Sequence, residues 1–287
     1  MREAGGSWQR RWREALGRLA GEGIDEAEPK LRWLAAHLLG CGLLDVERHG
    51  AESRGRERLE GWEAGVERLA CGEPVQYVVG ETDFLGLRIR CDRRALIPRP
   101  ETELLALAAE EHVAGLGGTP TVVDACTGTG CIACALALRV PSIRVIGTDL
   151  SAEALELARE NAGVMGARVE FRQADLLEGI PRGTVDLVVS NPPYVSTEEW
   201  ERLEPGVKDF EPRMALDGGR GGMETISRLV SQAADVILPG GRLMMEIGED
   251  QADAVRETLC RTSQFNQIDL RCDYAGRMRL ALARRTD

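Results

Sequence analysis

Four consecutive residues, Asn191-Pro192-Pro193-Tyr194, carry the strongest chemical signal in the chain. An amide or exocyclic amino nitrogen is a poor nucleophile because its lone pair is delocalised, so an enzyme that modifies it must hold both N–H groups with acceptors. Asn191 supplies a side-chain carbonyl and Pro192 a backbone carbonyl, while Tyr194 can lie against a flat amide or stack on an aromatic base. The tetrapeptide therefore predicts a site for a planar nitrogen. Asn191, Pro192 and Tyr194 are candidate catalytic residues, and all four residues, with Pro193, are candidates for substrate binding.

Three loops upstream of the tetrapeptide carry residues suited to a nucleotide-like ligand. The loop from Asp124 to Gly130 contains small residues that let the backbone approach a ligand, and the helix after it offers free N–H groups. Asp149 ends the next predicted strand, where a carboxylate can accept both hydroxyl hydrogens of a ribose, and Asp175 follows the strand after that, within reach of an adenine amino group. Each carboxylate alone is more often a helix cap than a ligand, but three loops agree. The candidate cofactor-binding residues from these loops and the tetrapeptide are Asp124, Cys126, Thr127, Gly128, Thr129, Gly130, Asp149, Leu150, Asp175, Leu176 and Asn191.

The three loops are compatible with both a nicotinamide and an adenosylmethionine cofactor. The tetrapeptide separates the two, because acceptors that align a planar nitrogen suit the electrophilic methyl group of a sulfonium. No general base is required before attack, since methylation makes the nitrogen cationic and its proton then leaves to solvent. The sequence therefore predicts an S-adenosylmethionine-dependent methyltransferase.

The first eighty residues have the apolar spacing of helices. The Gly- and Arg-rich stretch from His49 to Arg58 interrupts this pattern, and Glu73-Pro74 ends the last helix. The predicted apolar faces are Trp8, Trp12, Leu16 and Leu19; Leu31, Leu34, Ala35 and Leu38; and Leu59, Trp62, Val66 and Leu69. We expect a small helical bundle over residues 1–80.

A short apolar segment from Phe84 to Ile89, followed after a polar break by Ala95 to Ile97, predicts a hairpin within a linker of residues 81–100. Pro100 fits the first turn of a helix that begins near Glu101. From residue 101 to 287 short β-branched runs alternate with helical stretches, which is typical of an α/β fold of the Rossmann-like type with a seven-stranded, mostly parallel sheet. The predicted strands are Thr121–Asp124, Arg144–Asp149, Val169–Phe171, Val185–Ser190 and Arg242–Ile247, with Ile268–Leu270 and Met278–Leu282 as an antiparallel pair at the edge.

The composition is that of an ordinary globular protein, with 43% hydrophobic and 29% charged residues. A formal net charge of -11 repels phosphate backbones, so direct nucleic-acid binding is not expected, although arginines cluster between residues 88 and 99. Apolar runs such as Ile132 to Leu138 are too short to cross a bilayer, and the charged start does not resemble a signal peptide. We expect a cytoplasmic protein without a membrane partner.

The eight cysteines are dispersed along the chain, which favours free thiols over disulfides. Cys131 and Cys134 form a C-x-x-C pair, but no second cysteine pair or nearby histidine completes a set of four zinc ligands. Small buried side chains in an apolar helix are the expected explanation, and no metal is predicted.

Several separate motifs resemble the glutamine-N5 methyltransferases that modify the Gly-Gly-Gln tip of peptide chain release factors. The resemblance implies a class I methyltransferase fold, release factors as protein substrates, and recognition of that substrate by the helical bundle of residues 1–80. It also implies a segment that closes over the cofactor, which adds four candidate cofactor-binding residues: Arg99, Pro100, Glu101 and Thr102. The motifs are Glu73–Gly80, Leu96–Glu103, Asn191–Tyr194, Glu211–Gly219, Leu238–Gly241 and Glu246–Gly248. Together they extend over most of the chain.

Two residues depart from the family pattern. Cys126 stands where most of the family has a glycine, and the run from Cys126 to Cys131 resembles a sister group that methylates a glutamine of a large-subunit ribosomal protein. That group usually lacks the ending found at Pro100–Glu103, so a release factor remains the first choice. Met278 occupies a position that is commonly acidic.

Two further alternatives stay open. An N6-adenine DNA methyltransferase uses the same tetrapeptide on a flipped base, but it needs a basic DNA-reading region. A non-catalytic adenosylmethionine-binding protein would retain the fold without transfer, and the intact tetrapeptide argues against it.

Overall fold

The computed structural model describes residues 3–52 and 60–287. The helices in these residues are α1 (Glu3–Gly21), α2 (Ala27–Leu39), α3 (Val46–Glu52), α4 (Glu60–Ala70), α5 (Val75–Val79), α6 (Pro100–Ala114), α7 (Cys131–Arg139), α8 (Ala152–Met165), α9 (Thr197–Trp200), α10 (Pro205–Lys208), α11 (Glu224–Val236) and α12 (Ala252–Arg261). The strands are β1 (Glu81–Phe84), β2 (Leu87–Arg90), β3 (Thr121–Ala125), β4 (Arg144–Asp149), β5 (Val169–Gln173), β6 (Val185–Ser190), β7 (Ile237–Glu246), β8 (Phe265–Cys272) and β9 (Met278–Arg285). Among the described residues, no helix is both long and apolar enough to span a membrane.

The chain forms two compact units. The first contains Met1–Glu81 together with a short later segment, Glu204–Phe210. The second contains Thr82–Leu203 and Glu211–Asp287. Nothing in the sequence pattern indicated that a segment beyond the tetrapeptide belongs to the helical unit.

The core of the first unit is built on the helical faces that the sequence predicts. Trp8, Leu19, Leu31, Leu34, Ala35, Trp62, Val66 and Leu69 are buried there. Trp12 packs against this core, and its ring stacks on that of Trp62 with a centroid distance of 5.9 Å. Helix α3 continues to Glu52, so the predicted break does not begin at His49. The rest of that prediction and the predicted core position Leu59 lie outside the described residues.

The second unit is built on a seven-stranded sheet with the strand order β5-β4-β3-β6-β7-β9-β8. Strands β3 to β7 are parallel, and β9 pairs antiparallel with both β7 and β8. The predicted Rossmann-like fold and its antiparallel edge pair are confirmed. Strand β7 begins at Ile237, earlier than predicted, and the register between β6 and β7 shifts before Leu187 pairs with Arg242.

The predicted hairpin exists, but its partner strands differ from the prediction. Strands β1 and β2 pair with each other, and residues 95–97 form no strand. The turn residues Leu85 and Gly86 have φ values of 53° and 79°, as a two-residue turn between twisted strands requires. Glu103 stabilises this turn by accepting a hydrogen bond from the Leu85 backbone N–H at 2.9 Å.

The C-x-x-C pair lies in α7, where Cys131 and Cys134 are buried free thiols. Burial raises the pKa of Cys134 to about 12 and raises the pKa of Cys131 as well. Both thiols therefore stay neutral and pack as small side chains, as the sequence predicts.

Candidate active site

The predicted cofactor loops converge on one cavity of about 310 Å³ in the second unit. The three loops follow β3, β4 and β5, and the tetrapeptide follows β6. The carboxyl ends of these four strands meet at one edge of a parallel sheet. The sequence-predicted residues that line the cavity are Thr102, Cys126, Thr127, Gly128, Thr129, Asp149, Leu150, Asp175, Leu176, Asn191 and Pro193. The predicted residues that do not line it are Arg99, Pro100, Glu101, Asp124, Gly130, Pro192 and Tyr194. The volume is within the usual range for small-molecule sites.

The buried carboxyl group of Asp124 binds the first cofactor loop from the side of the protein interior. Its Oδ2 accepts hydrogen bonds from the Thr127 hydroxyl at 2.6 Å and from the Ala133 backbone N–H at 3.1 Å. Its Oδ1 is buried and has no hydrogen-bond donor among the described residues. Burial raises the pKa of Asp124 to about 7. The carboxyl group therefore fixes the loop onto α7, and it faces the protein interior.

Cys126 adopts a backbone conformation that glycine favours. Its φ is 58°, which costs a residue with a Cβ atom about 1–2 kcal/mol. Burial raises the pKa of its thiol, with the negative charge of Asp149 as the next cause. The departure from the family's glycine thus places a neutral thiol at the wall of the cavity.

Asp149 connects two of the loops. Its Oδ2 accepts from the Gly128 backbone N–H and its Oδ1 from the Ser151 backbone N–H, each at 2.9 Å. The N-cap of α8 is Ser151, whose hydroxyl oxygen accepts from the Ala154 N–H, so Asp149 is not itself the cap. Each carboxylate oxygen of Asp149 retains a lone pair for a ligand hydroxyl. Burial raises the pKa of Asp149.

Asp175 forms an ion pair that the sequence did not predict. Its Oδ2 lies 2.5 Å from the Arg228 guanidinium of α11, and both residues line the cavity. An amino group of a ligand would therefore share this carboxylate with Arg228.

The side chain of Asn191 is held by a chain of hydrogen bonds that ends at a buried carboxylate. Asn191 Nδ2 donates to the Thr102 hydroxyl oxygen at 3.1 Å, and the Thr102 hydroxyl donates to Glu246 Oε2 at 2.7 Å. Tyr194 OH donates to Glu246 Oε1 at 3.0 Å. Glu246 is only 1% exposed. Asn191 Oδ1 is thus left as the acceptor at the cavity, while the Tyr194 hydroxyl points to Glu246.

The loop after the tetrapeptide packs closely against its backbone. A Cβ atom at Gly218 would collide with the Pro193 carbonyl oxygen, and one at Gly222 with the Tyr194 carbonyl oxygen. The Gln251 side-chain amide also donates to the Tyr194 carbonyl at 2.8 Å. These contacts fix the backbone that carries the candidate acceptors.

Glu211 connects that loop to the segment before α6. Its Oε2 accepts from the Ile97 backbone N–H at 3.1 Å, and its Oε1 lies 2.5 Å from the Arg99 guanidinium. Glu211 is 4% exposed, and Ile97 and its neighbour Pro98 line the cavity. This clasp, formed by Glu211, Ile97 and Arg99, holds one wall of the cavity in place.

Comparisons with known proteins agree with the motifs. A family model described as the PrmC N-terminal domain matches residues 12–80, and the methyltransferase small domain matches residues 102–203. The release factor glutamine methyltransferase of Deinococcus radiodurans is 38% identical over 273 residues, which cover 95% of this chain and 96% of the relative. That of Cereibacter sphaeroides is 39% identical over 275 residues, with 95% and 96% covered.

The chain belongs to the release factor glutamine methyltransferase family. The family expected from the motifs is confirmed, and the chain is therefore a methyltransferase. A crystal structure of a methyltransferase from Pyrococcus furiosus, with 19% identity and a TM-score of 0.53, covers 71% of this chain and 91% of its own. At that identity the likeness supports the fold alone.

Sequence reasoning assigned no site role to Glu211 or Glu246, although both lie in motifs that resemble this family. A usable signal was present for Glu246. It ends a buried strand, β7, that pairs with the strand leading to Asn191, so its side chain had to lie near the same edge of the sheet. Glu211 offered no such signal, because it lies in an irregular loop.

Proposed function

We propose that this member of the family transfers a methyl group from S-adenosylmethionine to the side-chain amide nitrogen, N5, of the glutamine in the Gly-Gly-Gln motif of peptide chain release factors, and so tunes translation termination. The observation that carries the proposal is the fixed orientation of Asn191, whose Nδ2 is bound to Thr102 so that Oδ1 remains as an acceptor. The names of the relatives support the choice of substrate. A cytoplasmic location goes with this role, since translation takes place there.

The chain's own residues orient the substrate amide. In this proposal Asn191 Oδ1, at the cavity, and the carbonyl oxygen of its neighbour Pro192, which lies outside the cavity lining, accept the two N–H bonds of the amide. These bonds favour the pyramidal nitrogen needed for attack. S-adenosylmethionine, when bound, supplies an electrophilic methyl group on a positively charged sulfur. The methylated nitrogen then releases one proton to solvent. Tyr194 contributes through its ring and backbone, because its hydroxyl is bound to Glu246.

The donors and acceptors of the cavity fit this cofactor. The two oxygens of Asp149 suit the ribose hydroxyls, and Asp175 suits the adenine amino group. The backbone from Cys126 to Thr129, which lines the cavity, would lie close to the cofactor, and Gly130 would follow behind it. Of the segment Arg99 to Thr102 that would cover the cofactor, Thr102 lines the cavity. Product S-adenosylhomocysteine would leave by the same cavity, and the scheme requires no metal.

We assign recognition of the release factor to the helical domain of residues 1–80, because a single glutamine side chain offers little binding area. Residues 81–100 then act as the linker, and residues 101–287 as the methyltransferase domain.

An N6-adenine DNA methyltransferase is less well supported. Three arginines of the cluster near residues 88–99, Arg90, Arg94 and Arg99, lie within 3.9 Å of a carboxylate. Arg94 contacts Asp92 at 2.7 Å and Glu160 at 2.8 Å, and Arg99 contacts Glu211. Paired arginines attract phosphates weakly, so this region is a poor DNA-binding surface.

The test is a methyl-transfer assay with labelled S-adenosylmethionine and four acceptors: a release factor, the same factor with its Gly-Gly-Gln glutamine replaced, ribosomal proteins of the large subunit, and duplex DNA. Label on the intact factor alone is the expected result. Label on DNA or on a ribosomal protein instead would reject the proposal. Asn191→Ala is expected to abolish transfer while cofactor binding persists.

A further inference from the structure

We propose that Glu246 is a positioning residue that acts through Thr102 to decide which end of the Asn191 side-chain amide faces the substrate. The inference rests on the proposed function, because the acceptor end matters only if the substrate presents N–H groups. Neither Glu246 nor Thr102 needs to touch the substrate for this role. The three side chains come from β7, α6 and the loop after β6.

The direction of the hydrogen bonds follows from the chemistry of the three groups. Burial raises the pKa of Glu246, while the hydrogen bonds donated by Thr102 and Tyr194 and the positive charge of Arg279 favour its ionised form. An ionised carboxylate only accepts hydrogen bonds, so the hydroxyl of Thr102 gives its single proton to Glu246 Oε2. The Thr102 oxygen can then only accept from its second neighbour. Of the two ends of the Asn191 amide, only the NH2 group is a donor, so Nδ2 turns toward Thr102.

Glu246 is itself held so that it cannot turn away. Its second oxygen accepts from the Tyr194 hydroxyl at 3.0 Å, and its side chain is buried at the end of β7. A buried carboxylate without donors is costly, which opposes any rearrangement that breaks either bond. Tyr194 therefore belongs to the same hydrogen-bonded group as Glu246 and Thr102, which explains why its hydroxyl points to Glu246.

The orientation of the Asn191 amide matters for catalysis because it decides whether a donor or an acceptor faces the substrate. If the Asn191 amide rotated by half a turn, its NH2 group would face the NH2 group of the substrate glutamine, donor against donor. The substrate amide would lose one of its two acceptors and its alignment for attack. Misplacement of this kind costs about 100-fold in rate.

The test compares variants that keep or remove the Thr102 proton. Thr102→Val keeps the shape but has no hydroxyl, and at saturating cofactor, which is needed because Thr102 lines the cavity, we expect kcat to fall by about 100-fold while the KM for the release factor stays within about two-fold. Thr102→Ser restores the hydroxyl and is expected to keep kcat within about three-fold of the wild type. Thr82→Val is the matched control, since Thr82 is buried in β1 away from the cavity.

A second variant tests whether Glu246 acts through Thr102. Glu246→Met removes the acceptor at similar volume, and the Thr102 proton is then free to point at Asn191. We expect its kcat loss to match that of Thr102→Val, and the double variant to lose no more than either single variant. Losses that multiply in the double variant, or full kcat in Thr102→Val, would overturn the inference.

A separate measurement keeps this inference distinct from the proposed function. The Asn191 side-chain NH2 protons, assigned by NMR with Asn191→Ser, should exchange slowly with solvent in the wild type and in Thr102→Ser, and faster in Thr102→Val and in Glu246→Met. If the wild type fails to methylate release factors, the proposed function is rejected, and exchange rates that are equal in all four proteins reject the positioning role by themselves.

Discussion

The carboxyl group of Asp124 is fully buried, and one of its two oxygens has no donor among the described residues. Burial lifts its pKa from 3.8 to about 7, against the lowering effect of the bonds from Thr127 and Ala133. The folded protein therefore binds a proton here more tightly than the unfolded chain does. Stability contributed by this proton is complete below pH 4 and is lost as the pH rises toward 7.

We therefore expect the free energy of unfolding of the wild type, relative to that of Asp124→Asn, to fall as the pH rises through this window. The rise of the Asp124 pKa from 3.8 to about 7 makes this change a few kcal/mol. Urea unfolding of both proteins at a series of pH values measures it, and Asn at this position cannot titrate. A difference that does not vary with pH would show that Asp124 is ionised in the folded protein.

At the scale of elements, the loop after the tetrapeptide packs against the backbone that carries the acceptors and so fixes its position. A Cβ atom at Gly218 would lie 2.8 Å from the Gly222 carbonyl oxygen, in addition to its collision with Pro193. Gly218→Ala is expected to reduce methyl transfer by about ten-fold or more, with cofactor affinity retained, because the acceptor backbone must shift.

The matched control for this substitution is Gly163→Ala. Gly163 lies inside α8 with nothing within 4 Å of a Cβ atom, and alanine there should stabilise the protein by about 0.5–1 kcal/mol. Transfer rates and cofactor titrations of both variants give the comparison. Unchanged transfer in Gly218→Ala would mean that the tetrapeptide tolerates displacement.

The clasp formed by Glu211, Ile97 and Arg99 belongs to the same scale, because it joins two loops. Glu211→Gln keeps an acceptor for the Ile97 N–H but loses the charge opposite Arg99. Loss of a charge-assisted bond at a nearly buried carboxylate should weaken S-adenosylmethionine binding by about ten-fold. Isothermal titration of the cofactor measures this Kd.

Glu160→Gln provides the comparison for the clasp. Glu160 pairs with Arg94, which also lines the cavity, but the Arg94 and Glu160 side chains are 27% and 42% exposed, far more than the 1% of Glu211, and Arg94 stays bound to Asp92. An exposed pair contributes little, so cofactor affinity should not change. Equal cofactor Kd values for Glu211→Gln and Glu160→Gln would show that the clasp does not contribute to cofactor binding.

These elements also mark where sequence reasoning succeeds and where it stops. Loops after parallel strands were predictable because small and acidic residues follow apolar runs, and the sheet brings their ends together. The side-chain contacts of Glu211 and Glu246 could not be predicted, because their partners, Arg99 and Thr102, lie 112 and 144 positions away in the chain. The place of Leu85 in the turn between β1 and β2 was not predicted for another reason, since a leucine gives no indication of a positive φ.

At the scale of the whole molecule, the proposed division of labour predicts the effect of removing the helical domain. Deletion of residues 1–80 should raise the KM for the release factor while the cofactor Kd stays nearly unchanged, because the cavity residues all lie in the second unit. Steady-state kinetics and cofactor titration test this. An equal loss of both affinities would contradict the assignment of residues 1–80 to substrate recognition.

The deletion requires a companion variant, because Glu204–Phe210 belongs to the first unit and would lose its packing partners. Within that unit a Cβ atom at Gly206 would lie 3.2 Å from the Gly72 carbonyl oxygen, so the segment is closely packed. Replacing residues 204–210 with a Gly/Ser linker in the deleted chain should restore its solubility without lowering the KM. A return of tight factor binding would argue against the proposed role.

The position of these seven residues in the chain has a consequence for folding during synthesis. The ribosome produces Glu204–Phe210 only after all of Thr82–Leu203, at about 5–20 residues per second. The residues of the tryptophan-rich core of the helical unit are therefore synthesised on the order of ten seconds before Glu204–Phe210, the last segment of that unit. A nascent chain stalled before residue 204 should be more sensitive to protease in its first eighty residues than one stalled well beyond residue 210.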